Sequence, residues 1–365
     1  MRRRICFFIC LLLLSGWCLA ATDEVLQAQA DAMELDELER AAEEYLGEID
    51  IMGGIDLNEG LEALFETGAS QFSGVVHKAA GSGALLLVIV LLCALADGMT
   101  QGSGGKGMAV VPLVGAIAVT AVAVADIHSL IGMGREAIGR METLSKVLLP
   151  TMAVATAAAG APAGAAARQL ATMFFSDVLL TIINRLLLPL VYAYVAASAA
   201  NAAIGNEGVK RMAELIKWLV TSVLTLLLLI FVGYLSVSGV IAGTTDAVAI
   251  KAAKFAVSGM VPVVGGILSD AAETVLAGAG ILKNSIGVVG MLAVLAICLI
   301  PFLQLGIHYL AYKLTAALTA TVSESRVAGL VSAIGGAFGL VLGMTGSCAL
   351  LLLISMVSAI SMVVR

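Results

Sequence analysis

Charge is scarce in this chain. Only 13% of its 365 residues are Asp, Glu, Lys or Arg, while 60% are hydrophobic and the mean hydropathy is +1.05. A soluble domain of this length has no use for so much apolar surface. From residue 81 to 364 the few charges sit in short clusters between long apolar runs. A charge in the bilayer core is expensive, so a lipid-solvated chain keeps charges at segment ends or in buried pairs. The fold class that follows is all-α: a polytopic helical integral membrane protein. A basic surplus is also missing. The net charge is −6 and the pI about 5.2, which leaves no cationic face for nucleic acid.

Reactive and metal-binding residues are sparse as well. Of six cysteines, Cys6, Cys10 and Cys18 lie at the N-terminus, and Cys93, Cys298 and Cys348 stand singly in apolar runs. That is no disulfide framework. His77, His128 and His308 have no metal-ligand spacing. HExxH and GxSxG are absent, so neither an enzyme nor a cofactor protein is expected. The GxGxxG letters at 102–107 follow no strand, and Gly107 stands where a phosphate loop needs Ser or Thr. They read as a flexible turn.

What is present begins with an export signal expected over 1–21, with an uncleaved N-terminal anchor as the alternative. Arg2, Arg3 and Arg4 form a basic region, Ile5 to Leu14 is apolar, and small residues offer cleavage near Ala20 or Ala21. An acidic arm outside the cytoplasm follows, 22–80. Its stretch Thr22 to Glu66 holds fifteen acidic residues against one base, Arg40. Met33, Leu35, Leu38, Ala42, Tyr45, Leu46 and Ile49 recur at helical spacing, predicting an amphipathic helix over 26–46. A second helix is predicted over 58–76, capped by Asn58. The arm is either a solvated linker or a docking arm.

The body, 81–365, divides into spans at 83–96, 108–130, 172–203, 218–241, 285–314 and 327–364. Amphipathic segments at 134–146 and 244–257 are expected at the membrane surface. Pro150 and Pro262 open Ala/Gly-rich runs. Five to eight crossings are expected, and Lys210, Arg211 and Lys217 favour a cytoplasmic turn. The order of elements repeats with an offset of 112 residues, which pairs Pro150 with Pro262 and Pro189 with Pro301. The repeat halves are roughly 108–203 and 213–315, with a closing helix over 327–364. Repeats of this kind occur in transporters.

Two residue sets are candidates for function. Pro150, Pro189, Pro262, Gly265, Gly266 and Pro301 would build packing surfaces around a pore or a subunit interface, because small residues let helices approach closely. Homo-oligomers are one use of such surfaces, and packing within one chain is the other. Asp126, Asp177, Asn184, Arg185, Gln304 and His308 are intramembrane polar residues that either line a conduit or make structural hydrogen bonds. Asp177 and Arg185 are about two turns apart, so an interhelical partner is expected for them.

The stretch Thr244-Thr245-Asp246-Ala247-Val248, then Lys251 to Phe255, then Val261-Pro262-Val263-Val264-Gly265-Gly266-Ile267-Leu268-Ser269-Asp270 up to Val275, with the later Leu299-Ile300-Pro301, resembles the stage III sporulation protein AE family of endospore-forming Firmicutes. The resemblance is most specific between Gly239 and Pro301. It implies a mother-cell membrane protein around the engulfed forespore, in a multi-protein channel or secretion-like complex with its sister proteins and a forespore-side bridging protein. It supplies no catalytic residues. The other expectation is a stand-alone permease that moves a small solute by alternating access.

Overall fold

A computed structural model describes residues 30–31, 35–46, 57–101, 110–159, 163–260, 265–321 and 326–361, with side chains over 163–170 and 235–278 left undescribed. The expected signal, the 102–107 turn and Pro262 lie outside the described residues. Gly265 and Gly266 are described in backbone only.

Every regular element in the described residues is helical. Helix α1 is Leu35–Leu46, α2 Leu57–Gln101, α3 Val110–Ala158 and α4 Ala163–Ile182. A π-helical segment, Ile183–Leu187, joins α4 to α5, Leu188–Ile204. Then come α6, Glu207–Met260, α7, Gly265–Ala320, and α8, Arg326–Ser361. Six helical stretches are long and apolar enough to cross a membrane, within 57–96, 113–158, 174–204, 207–234, 279–320 and 326–357.

Several expected boundaries vanish. Helix α2 runs through residue 80, where the sequence pattern divides arm from body, and Asn58 falls inside its first turn instead of before it. No proline interrupts this stretch. Its glycines each cost a helix only about 1 kcal/mol relative to alanine, which the flanking Ala and Leu residues outweigh. The amphipathic segment 134–146 is likewise no separate surface helix. It is the middle of α3, whose 49 residues would extend about 74 Å at 1.5 Å each. Its apolar face, Ala137, Ile138, Met141 and Leu144, is buried in the bundle. Its charges point away and pair along the helix, Arg140 with Glu136 at 2.7 Å and Lys146 with Glu142 at 2.9 Å. The segment 244–257 also continues a longer helix, α6. In α3 the helix passes through Pro150. Hydroxyls there serve their own backbone, as Thr151 and Thr156 donate to Val147 O and Met152 O. This is how a polar side chain is satisfied without water.

The bundle centres on α7 and α8, the most extensive helix pair, with α3 packed against both. Phe338 and Tyr312 meet edge to face at its core, ring centroids 5.1 Å apart. Helix α1 buries Leu35, Leu38 and Ala42, lies against α3 and α7, and exposes Asp36, Glu37 and Glu43. Helix α5 ends at Gly205, whose φ of 71° is left-handed and whose N–H donates to Asn201 O at 2.7 Å. Only glycine takes that φ without cost. Asn206 then caps α6 by accepting the Gly208 N–H at 2.7 Å.

Candidate functional site

The π-helical segment follows from Pro189. Proline has no N–H to donate and its ring crowds the carbonyl four residues back, that of Arg185. The chain widens by one residue instead, and the Leu188 N–H reaches back to Ile183 O. Such π segments recur at functional sites. This one carries Asn184 and Arg185. Asn184 Nδ2 donates to Glu142 Oε2 of α3 at 3.4 Å, and Glu142 also accepts from Lys146 at 2.9 Å. Arg185 and Asp177 act on this pair through space. Asn184 thus has a partner on α3, whereas Asp177 and Arg185, for which an interhelical partner was expected, form no ion pair among the described residues. Asp177, Arg185 and Lys146 are exposed. Two buried polar atoms on this stretch, Asn184 Oδ1 and Ser176 Oγ, have no hydrogen-bond partner. An outward face with both signs of charge suits water or another protein and does not suit lipid tails.

The remaining polar candidates lie elsewhere. Asp126 is buried and accepts from Tyr312 Oη at 2.8 Å, tying α3 to α7. Gln304 and His308 share a face of α7 as their spacing predicts, but the bond between them runs to the Gln304 carbonyl, 2.8 Å from His308 Nδ1. Both line a cavity of about 330 Å³ against Ser70, Gln71 and Lys78 of α2. His308 Nε2 is buried without a partner. Among the described residues no hydrogen bond links these sites to the Glu142–Asn184 neighbourhood. Nor does any group of three or more His, Cys, Asp or Glu there form a possible metal site. Sequence reading missed Glu142, Lys146 and Tyr312 as partners. The four-residue spacing of Glu142 and Lys146 was visible, but it signalled only a polar helix face.

The proline and glycine candidates separate too. Pro189 is exposed beside the π segment, whereas Pro301 is buried inside unbroken α7, so the two sit in different backbone settings. Pro301 lines a cavity of about 320 Å³ with Glu136 and Arg140. Pro150 is half-buried in α3. The close helix approaches seen among described residues use other glycines. A Cβ on Gly335 would meet Tyr312 Cβ at 2.9 Å, and one on Gly290 would meet Leu148 at 2.7 Å. A Cβ on Gly134 would collide with Val341.

Fold and site together define a multi-pass helical membrane protein with a polar face on α3 and the α4–α5 junction. A family model described as stage III sporulation protein AE matches residues 52–363. The chain belongs to that family. It is 27% identical over 255 residues to "Stage III sporulation protein AE" of Bacillus subtilis (strain 168), covering 68% of this chain and 63% of the relative. The matched region therefore spans less than two thirds of that relative's length. No solved structure matches.

Proposed function

We propose that this chain is a subunit of a multi-protein sporulation channel in the mother-cell membrane around the forespore. Its partners would be sister proteins of the complex, a forespore-side bridging protein reached through them, and further copies of itself. Family membership supports a sporulation role. The observation that carries the finer reading is the exposed charge of Lys146 and Arg185 on either side of the Glu142–Asn184 contact between helices. Lipid cannot satisfy those groups, and a subunit interface or a water-filled path can. The chain acts without catalysis or cofactor in this reading. Residues 1–21 are an export signal, and the halves 108–203 and 213–315 descend from one repeated unit. The 112-residue offset that pairs Pro150 with Pro262 and Pro189 with Pro301 supports the latter.

Purification from sporulating cells in mild detergent tests the proposal. The wild-type chain is expected in a defined oligomer with sister proteins. An N184A/R185A variant should insert normally, lose those partners and lower spore yield. A wild-type monomer that moves a small solute into liposomes would establish the permease instead.

A further inference from the structure

An apolar groove of about 860 Å³ runs between α7 and α8, walled on one side by Leu61 and Phe65 of α2. Its floor includes Gly336, Gly339, Gly343 and Gly346, with Tyr309 against Gly339 and Phe302 against Gly346. Gly343 is open, since a Cβ there would meet nothing nearer than Leu224 at 3.9 Å. From Gly336 to Leu353 the lining spans eighteen residues of α8, about 25 Å from first to last at a rise of 1.5 Å. That is close to the depth of one leaflet and most of a second, in a hydrocarbon core of about 30 Å.

One end of the groove is not apolar. Lys217 of α6 and Lys313 of α7 line it, and the same two lysines line a polar cavity of about 470 Å³ next door. That cavity holds four cations, Lys210, Lys217, Lys313 and Arg326, against two carboxylates, Glu207 and Glu214. Lys210 is partly matched by Glu207 at 4.0 Å. Lys313 donates only to Ser332, at 3.3 Å to the carbonyl and 3.2 Å to the hydroxyl. Neither Lys217 nor Lys313 has a carboxylate within ion-pair distance among the described residues. Two uncompensated cations therefore stand where a polar chamber opens onto an apolar trough. The chamber lies at the bundle end where α5 stops and α6 and α8 start, with Gly205 against Arg326.

We propose that this composite site binds one anionic phospholipid, with its phosphate between Lys217 and Lys313 and an acyl chain along the glycine floor. Charge complementarity selects the anion, because a zwitterionic headgroup returns a positive charge to a chamber already in cationic excess. Apolar length selects a lipid over free phosphate. Basic pockets between membrane helices bind anionic headgroups by this chemistry.

The test is native mass spectrometry of the full chain in detergent, titrated with palmitoyl-oleoyl phosphatidylglycerol, with the matching phosphatidylcholine, and with glycerol phosphate. One phosphatidylglycerol should be retained, roughly 25-fold more tightly than phosphatidylcholine if each lysine contributes about fivefold. Glycerol phosphate should not be retained. K217Q/K313Q should abolish the preference and K217R/K313R should restore it. G343L should weaken retention of the lipid by filling the floor. Equal retention of both lipids by the wild type overturns the proposal, whatever the variants do. So does retention of glycerol phosphate alone, or a lipid-free chain whose groove is closed by its own segment or by a second copy.

Discussion

At the scale of single residues, packing and polarity meet at Tyr312. Its hydroxyl donates to Asp126, a partner 186 positions away, and its Cβ lies where a side chain on Gly335 would go. Gly335→Ala should overpack this contact and cost about 1–3 kcal/mol, read as a lower unfolding temperature in detergent. Gly343→Ala, in open space, should leave that temperature within error. Tyr312→Phe should cost about 1–3 kcal/mol, because the Asp126 carboxylate stays buried without its donor. Asp126→Asn keeps an acceptor oxygen and loses the buried charge, so it should cost less. Equal losses from the two would mean that the hydroxyl bond is not what holds α3 to α7. None of this was legible in the sequence. Asp126 stood out as a charge in an apolar run, but the run does not say which helix faces it.

At the scale of elements, helix ends are the lesson. The segment 134–146 carries Arg135, Glu136, Arg140, Glu142 and Lys146, and a linear reading makes such a cluster a boundary. In α3 the 3.6-residue period puts those charges on one face and Ile138, Met141 and Leu144 on the other. Nothing stops the helix. Conversely, the region around residue 185 read as one long span, and there Pro189 forces a π segment. Removing that cause should remove the effect. In Pro189→Ala the recovered N–H permits regular α-helix, which turns Asn184 off its present direction. Crosslinking of E142C to N184C by a short bifunctional maleimide should proceed with Pro189 present, and its yield should fall several-fold in the P189A background. Unchanged yield would show that the π segment does not depend on the proline.

At the scale of the whole molecule, six apolar helical stretches in one bundle predict firm membrane residence. The chain should stay in the pellet after alkaline carbonate extraction and leave it only with detergent. Release by carbonate alone would contradict the spanning assignment. Helix α6 and the exposed leucines of α2, such as Leu92 and Leu95, supply the outer apolar surface. The faces that depart from that surface are the Glu142–Arg185 neighbourhood and the lysine-headed groove, and the two proposals rest on them. They are separable by experiment, since one concerns partner retention and the other lipid preference.

The amino-acid sequence alone determined the class of the molecule, its helical character, the approximate number of spans and the family resemblance. Those properties follow from composition and period, which every residue reports locally. Tertiary structure decided where helices end, which glycines serve as contacts, and which polar residues meet. Asp126 with Tyr312, Glu142 with Asn184, and Lys217 beside Lys313 are pairings across helices. Along any one helix the period shows which side a residue faces, and only the packing of the bundle brings a second helix to that side.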